Sequence, residues 1–378
     1  MSELTVPYDV ILNSLSDGVY VCDRNRRITY WNASAERITG WSSTDVLGRT
    51  CAEDILAHVD KDGHRLCGKE HCPLHRSMIT GTVSTLPIIA YARSKDGKRI
   101  PMQITAAPLI DDDGAVVGGV ETFRDLRPLM GDLKRARLIQ KNLLTRPLPR
   151  DNRLRLAAFY MPFDLVGGDY YAVRQLGPDQ FGFILADLEG HGTAPALYMM
   201  HLKTLWDRHY PRMRAPADFA TAVNRDLAEV FGGDVSFACA VCGLIDLKTQ
   251  TLHLASAGGP PPIRCREDGA QVLQVSNGLP LGATEEFSYE ETALSISPGD
   301  AFLFVTDGTF EIDNARQEQL GIEGLIGVLE QLDYPATPLD MSRLEEQLLL
   351  FSNEIRLPDD LTILEIGCPN PRAEAGTS

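Results

Sequence analysis

The sequence predicts an α+β chain of two units joined by a helix, and three observations predict it. Short strand-like runs separated by turn chemistry fill residues 7 to 125. One amphipathic helical pattern then runs from Leu126 to Leu144. Beyond it, from about residue 150 to 368, four acidic turns each abut an apolar, strand-like run. A length of 378 residues accommodates two such units.

In the first unit, Gly18 to Asp23 and Arg27 to Asn32 read as two strands around the turn Arg24-Asn25-Arg26. Ala33 to Thr39 reads as a short helix closed by Gly40. Strand-like stretches follow at Leu86 to Arg93, Arg99 to Leu109 and Val116 to Phe123, separated by Lys95-Asp96-Gly97-Lys98 and Asp111-Asp112-Asp113-Gly114. An antiparallel sheet with small helices is expected. Asp23 with Ile28 and Asn32, the segment Ala35 to Trp41 and the closing Gly118 to Asp125 resemble the PAS sensor domain. PAS domains differ widely in ligand, so the resemblance leaves the signal open.

An insertion at about 51–80 carries Cys51, Cys67 and Cys72 together with His58, His64, His71 and His75, half of the chain's eight histidines. Two readings stand side by side. Cys51, Cys67, Cys72, His64 and His71 form a thiolate/imidazole site for zinc or iron, or a redox-responsive thiol set. Alternatively the segment is a small helical excursion with buried cysteines and exposed histidines. The cysteine spacings match no zinc-finger pattern, and no Asn-Cys-Arg-Phe-like helix points to a flavin photosensor.

The linker, 126–149, places Leu126, Met130, Leu133, Ala136, Ile139 and Leu143 at three- and four-residue steps. Lys134, Arg135, Arg137 and Lys141 supply a basic outer face, and Pro147 and Pro149 end the helix. Such a helix suggests the seam of a parallel homodimer. Packing on its own domain is the other reading.

The acidic turns are Val166-Gly167-Gly168-Asp169, Asp187-Leu188-Glu189-Gly190-His191-Gly192, Thr306-Asp307-Gly308 and Asp359-Asp360-Leu361-Thr362. Carboxylates at the ends of separate buried strands are costly unless a cation collects them. Hard divalent ions such as Mg²⁺ or Mn²⁺ take oxygen ligands. Two of them activate a water for in-line attack on phosphorus. The set reads as a two-metal phosphohydrolase.

From about Ala136 to Ile366 the chain resembles the metal-dependent protein phosphatases (protein phosphatase 2C-like, PPM), in particular the bacterial branch of sporulation and stress regulators. The residues that carry this are Ile139 to Leu144, Gly167-Gly168-Asp169, Asp187 to Gly192, Ala257-Gly258-Gly259-Pro260-Pro261, Pro280-Leu281-Gly282, Thr306-Asp307-Gly308 with Glu311, and Asp359 to Thr362. The resemblance implies an α/β/β/α sandwich with two central antiparallel sheets, holding two Mn²⁺ or Mg²⁺. It implies that Asp187 bridges both ions and that the backbone carbonyl of Leu188 reaches one through water. Asp169 would bind one ion; Asp307 and Asp359 would bind the other, with Asp360 ranked behind Asp359. His191 serves either as general acid for the leaving alkoxide or as a turn residue with a structural hydrogen bond.

The implied activity is that of a signal-regulated serine/threonine protein phosphatase acting on a phosphorylated anti-sigma-factor antagonist. A non-catalytic module that binds its partner without turnover is the alternative. A nucleotide cyclase is disfavoured, since no Glu-Phe follows Gly167-Gly168-Asp169. Three positions depart from the branch pattern: Ala172 stands where a second Asp is common, Gly259 replaces a His and Thr145 replaces a Pro.

Composition narrows the partners. A formal charge of −16 argues against nucleic acid and anionic membranes. Met1 to Thr5 has no basic or apolar targeting pattern and no run approaches a membrane span, so a soluble, cytoplasmic protein is expected. Its cysteines then read as thiols or metal ligands. Cys239 and Cys242 are expected to pack inside the sandwich, Val241 to Leu254 to form a hairpin, Ser342 to Asn353 a helix, and residues 369–378 a disordered tail.

Overall fold

The computed structural model describes residues 6–51, 55–60, 63–67, 72–83, 88–144, 147–190, 192–232, 236–353 and 357–370. The chain divides into two compact units, Met1–Asp132 and Leu133–Ser378. The boundary falls inside the linker helix rather than at either end of it.

In the first unit, helix α1 (Tyr8–Ser14) precedes strands β1 (Gly18–Asp23) and β2 (Ile28–Trp31), then helices α2 (Ala33–Thr39), α3 (Ser43–Val46) and α4 (Pro73–Thr80). Strands β3 (Ile88–Arg93), β4 (Arg99–Ile110) and β5 (Val116–Asp125) complete an antiparallel sheet of order β2-β1-β5-β4-β3. Asn32 fixes the corner from β2 into α2. Its Oδ1 accepts from Ala35 N at 2.8 Å, capping the helix, and from Val19 N at 2.9 Å, tying that cap to β1. Gly40 ends the helix in the left-handed region at φ 75°. The inner face of the sheet packs Tyr20, Trp31, Ile104 and Phe123 against Ile55, Leu56 and Leu74.

Helix α5 spans Arg127–Leu144, one residue shorter than the sequence pattern. Met130, Leu133 and Leu143, expected to form one stripe, are half-buried, while Leu129, Leu138 and Ile139 are exposed.

The second unit has two five- or six-stranded sheets. One holds β7 (Tyr170–Gly177), β8 (Gln180–Leu188), β9 (Ala238–Asp246), β10 (Thr251–Ala257), β13 (Asn277–Gly278) and β14 (Thr292–Ser295), in the order β13-β10-β9-β8-β7 with β14 also on β10. The other holds β6 (Arg155–Met161), β11 (Ile263–Arg266), β12 (Gly269–Val272), β15 (Ala301–Val305) and β16 (Leu361–Gly367), in the order β12-β11-β15-β16-β6. The sheets face each other through Phe183, Leu185, Val241, Phe304 and Leu364, and the Phe183 and Phe304 ring centroids lie 4.6 Å apart. Burying one such side chain contributes about 1.5–3 kcal/mol.

Helices α6 (Thr193–His209) and α7 (Pro216–Phe231) cover the first sheet with Met199, Leu202, Trp206, Phe219 and Leu227. Helices α8 (Gly321–Gln331) and α9 (Met341–Ser352) cover the second with Leu325, Leu329, Leu344 and Leu348. Strand β16 is buried along its whole length because it is covered on both faces. The architecture is the expected α/β/β/α sandwich. The predicted hairpin and C-terminal helix are both present, as β9–β10 and α9; most of the expected disordered tail, 371–378, lies outside the described residues.

Candidate metal centre

Strand ends bring the acidic turns together. Asp169 immediately precedes β7 and Asp187 is the penultimate residue of β8, on the first sheet. On the second, Asp307 follows β15 and Asp359-Asp360 precede β16. Because Val305 pairs with Ile363, the last two turns leave the sheet side by side.

Asp169 is fully buried. Its Oδ2 accepts from Thr306 Oγ1 at 3.0 Å and from Thr362 Oγ1, which orients the carboxylate rigidly. Its Oδ1 has no hydrogen-bond donor, and neither does Asp307 Oδ1. The neighbour of both is Asp187. Burial, then the charges of Asp169 and Asp307, push the Asp187 carboxyl far above the usual carboxylate range. Burial, then Asp360, pushes Asp169 up as well. Acceptor faces acceptor here, a contact that holds only if a proton or a cation lies between.

Asp360 has a different occupation. Its Oδ1 accepts from Phe163 N and its Oδ2 from Gly168 N, both at 2.6 Å. Both oxygens are thus engaged in shaping the Gly167-Gly168-Asp169 loop. Any Cβ at residue 167 would collide with Asp360 Oδ2 and the Tyr160 hydroxyl, which is why glycine stands there. Asp359 Oδ1 accepts from Asp360 N at 2.8 Å. The Leu188 carbonyl borders the same loop, 2.9 Å from where a Cβ on Gly168 would stand. His191 lies outside the described residues, as does Thr145.

Among the described residues, no three His, Cys, Asp or Glu side chains already surround one point as a finished ligand shell. The donor set nevertheless fits hard divalent ions. It is all oxygen, partly buried, and has two buried carboxylate oxygens without donors. A cavity of about 130 Å³ opens beside Asp187 and Asp307, walled by Cys239, Gly258, Gly259, Pro260, Phe310 and Glu311. Cys242 packs in the core as expected, whereas Cys239 lines this cavity. Gly259 closes tightly on the sheet: a Cβ there would lie 2.8 Å from Ala240 O and Val241 Cγ2. The histidine of the branch pattern does not fit this backbone without a shift. A larger cleft, about 540 Å³, belongs to the first unit, is lined by Arg37, Lys95, Lys98, Arg99 and Arg127, and holds none of the carboxylates.

Three supporting residues of the site were not singled out by sequence. Thr306 and Thr362 sit inside the acidic motifs, yet their role as donors to Asp169 needs the register of β15 on β16. Gln140 is 4% exposed on α5 and bonds Gly167 from both sides. A polar residue on a helix's packing face is the signal that was available.

In the first unit, Cys51 and Cys72 are buried and Cys67 is half-buried. His64 is exposed and pairs with Asp60 at 3.1 Å, and His71 lies outside the described residues. Among the described histidines of this unit, His58 is the buried one.

A sensor-type antiparallel sheet and a carboxylate-edged α/β/β/α sandwich define the class, a PAS unit joined to a PP2C-type domain. The chain belongs to the stage II sporulation protein E (SpoIIE) family, whose model matches residues 177–369, and a PAS fold model matches 12–129. It is 29% identical over 183 residues to the phosphoserine phosphatase RsbP of Bacillus subtilis (strain 168), covering 48% of this chain and 45% of that protein. It is 22% identical over 248 residues to the phosphoserine phosphatase RsbU of the same organism, covering 65% and 72%. The chain spans less than half the length of RsbP and of protein IcfG of Synechocystis, to which it is 23% identical over 261 residues. The SiaA-PP2C domain of Pseudomonas aeruginosa shares the fold, at a TM-score of 0.55 and 22% identity over 64% of this chain and 97% of that one. No helix among the described residues is long and apolar enough to cross a membrane.

Proposed function

We propose that this chain is a signal-regulated, metal-dependent serine/threonine protein phosphatase. The observation that carries the reading is Asp187, set between the donorless oxygens of Asp169 and Asp307 at the edge of the sandwich. Asp169 and Asp187 on one sheet, with Asp307 and Asp359 on the other, would hold two Mn²⁺ or Mg²⁺, and the Leu188 carbonyl would contribute through water. When bound, such ions supply an activated water and polarise the phosphoryl oxygens.

The chain's own residues then do the positioning. Thr306 and Thr362 hold Asp169 in one orientation, and Asp360 and Gln140 fix the backbone that carries it. The cavity beside Asp187 and Asp307 receives the phosphoryl group, with Gly258, Gly259 and Pro260 as its floor. Glu311 also lines it, its carboxyl raised above its ordinary value first by burial and then by the charge of Asp307.

Two relatives are phosphoserine phosphatases by name, and the inferred substrate is a phosphorylated anti-sigma-factor antagonist in the cytoplasm. The exposed, adjacent Leu138 and Ile139 on α5 support a homodimer through this helix. The test is phosphate release from a phosphoseryl protein with Mn²⁺ and with chelator. Release that appears only with Mn²⁺ supports the reading, and equal or absent release under both conditions overturns it.

A further inference from the structure

The first unit holds a cleft of about 540 Å³ for which the phosphatase reading has no use. The end of α2, the β3–β4 hairpin and the first residue of α5 wall it. Five cations line it, Arg37, Lys95, Lys98, Arg99 and Arg127, against one carboxylate, Asp96. That local excess runs against a chain whose formal charge is −16.

Three of the five have counterions. Lys95 pairs with Asp45 at 2.6 Å, Lys98 with Asp96 at 2.7 Å and Arg127 with Asp125 at 2.6 Å. Arg37 and Arg99 have no carboxylate partner among the described residues. Arg37 donates to the neutral Ser34 hydroxyl at 2.6 Å, and the Arg99 guanidinium makes no hydrogen bond or ion pair. Arg99 also stands directly opposite Arg93 in the β3–β4 ladder, so two like charges share one face of the hairpin and repel. The carbonyl end of α2, which would oppose an anion, is already closed: Ile38 O accepts from Arg127 Nη2 at 3.1 Å and Thr39 O from Lys95 N at 2.9 Å.

We propose that this cleft binds a small anion carrying a di- or triphosphate group, with Arg37 and Arg99 as its principal charge partners. A guanidinium presents a planar fork of donors that matches phosphate oxygens two at a time. Two such forks without counterions suit a ligand with at least two negative charges, and its binding relieves the repulsion between Arg93 and Arg99. The volume falls within the roughly 300–1,000 Å³ of small-molecule sites, enough for a nucleotide. A long polyanion is disfavoured by the negative charge of the chain as a whole. Because Arg127 both lines the cleft and opens α5, the ligand would sit at the root of the linker helix.

The test is calorimetric titration of the full chain with pyrophosphate and, separately, with ADP. Divalent ions are first removed by chelation and dialysis, so that the carboxylate cluster of the second unit has no metal with which to hold a phosphate. The expected result is one equivalent bound, with an affinity that falls as salt rises. Arg37→Ala and Arg99→Ala should each raise the Kd on the order of tenfold or more, and Arg99→Lys, which keeps the charge but loses the fork, should fall between. Both arginines are exposed, so the variants should fold. Arg124→Ala removes an equal charge from an arginine paired with Asp17 outside the cleft and should leave the Kd unchanged, as should Asp187→Asn. Equal affinity for the two probes assigns the site to the phosphate group itself, and tighter ADP assigns it to a nucleotide; either supports the proposal. No binding of either probe at millimolar concentration overturns it. So does binding that Arg37→Ala and Arg99→Ala leave untouched, or succinate bound as tightly as pyrophosphate.

Discussion

Gln140 grips Gly167 from both sides: its Nε2 donates to the Gly167 carbonyl at 2.7 Å, and its Oε1 accepts from the Gly167 amide at 3.2 Å. The Tyr160 hydroxyl donates to the same Oε1 at 3.4 Å. One helix side chain thus satisfies a glycine two residues from Asp169, and that helix begins in the first unit at Arg127. Gln140→Leu leaves both backbone groups of Gly167 unpaired, a cost of about 2–4 kcal/mol. Lower thermal stability and a roughly tenfold higher Mn²⁺ requirement for phosphate release are expected, since about 1.4 kcal/mol at the site is tenfold in affinity. Unchanged Mn²⁺ titration would detach the helix from the metal loop.

Asp359 and Asp360 separate by measurement. Asp360→Ala removes the acceptor of Phe163 N and Gly168 N, so the metal-free protein should lose on the order of 2–4 kcal/mol. Asp359→Ala should leave metal-free stability within about 1 kcal/mol and weaken Mn²⁺ binding. Denaturant unfolding paired with Mn²⁺ calorimetry distinguishes them. The reverse pattern would make Asp360 the ligand.

A pH dependence follows from Asp226, which joins α6 to α7 through His209 Nε2 at 2.8 Å and Arg208. Burial raises its carboxyl, but the His209 hydrogen bond and charge with Arg208 outweigh that and lower it below its ordinary value. A carboxyl depressed in the folded state binds fewer protons there than when unfolded. Its stabilisation is complete above the ordinary pKa near 3.8 and is lost as pH falls through the folded value. Asp226→Asn should therefore destabilise the protein at neutral pH, with the difference from wild type shrinking below pH ~4. A constant difference down to acid would assign the loss to packing.

The sandwich and the sensor sheet were legible because strand runs, turn residues and acidic motifs each carry local chemistry. Gly40 marks the end of α2 in sequence as it does in space, whereas the capping role of Asn32, read with the preceding strand, shows only in the fold. What stayed hidden depends on which residues meet. Asp360 ranks behind Asp359 in sequence by its second place in the final acidic pair, and nothing local shows that the amides of Phe163 and Gly168, far away in sequence, take both of its oxygens. His64 and His58 look alike in the insertion, yet only His58 is carried into the core opposite Glu121. The stripe on α5 shifted because Gln140 and Leu144, not the apolar Ile139, face the domain.

The exposed side of α5 gives its own test. Ile139→Glu alters an exposed residue, 57% accessible in the single chain, and should cost that chain little. A homodimer sealed by this face would bury the new charge and should dissociate to monomers in analytical ultracentrifugation. A wild type already monomeric at micromolar concentration, or a variant that stays dimeric, contradicts the seam.

The most direct measurement is Asp187→Asn, followed for turnover and for Mn²⁺ binding in the same preparation. The substitution puts a neutral amide where Asp187 must otherwise take up a proton to sit between Asp169 and Asp307, so the metal-free fold should be as stable as wild type or more so. Phosphate release should fall to background and Mn²⁺ binding should weaken sharply. Wild-type turnover in Asp187→Asn, or Mn²⁺ binding that the substitution leaves untouched, would contradict a metal centre built on these carboxylates.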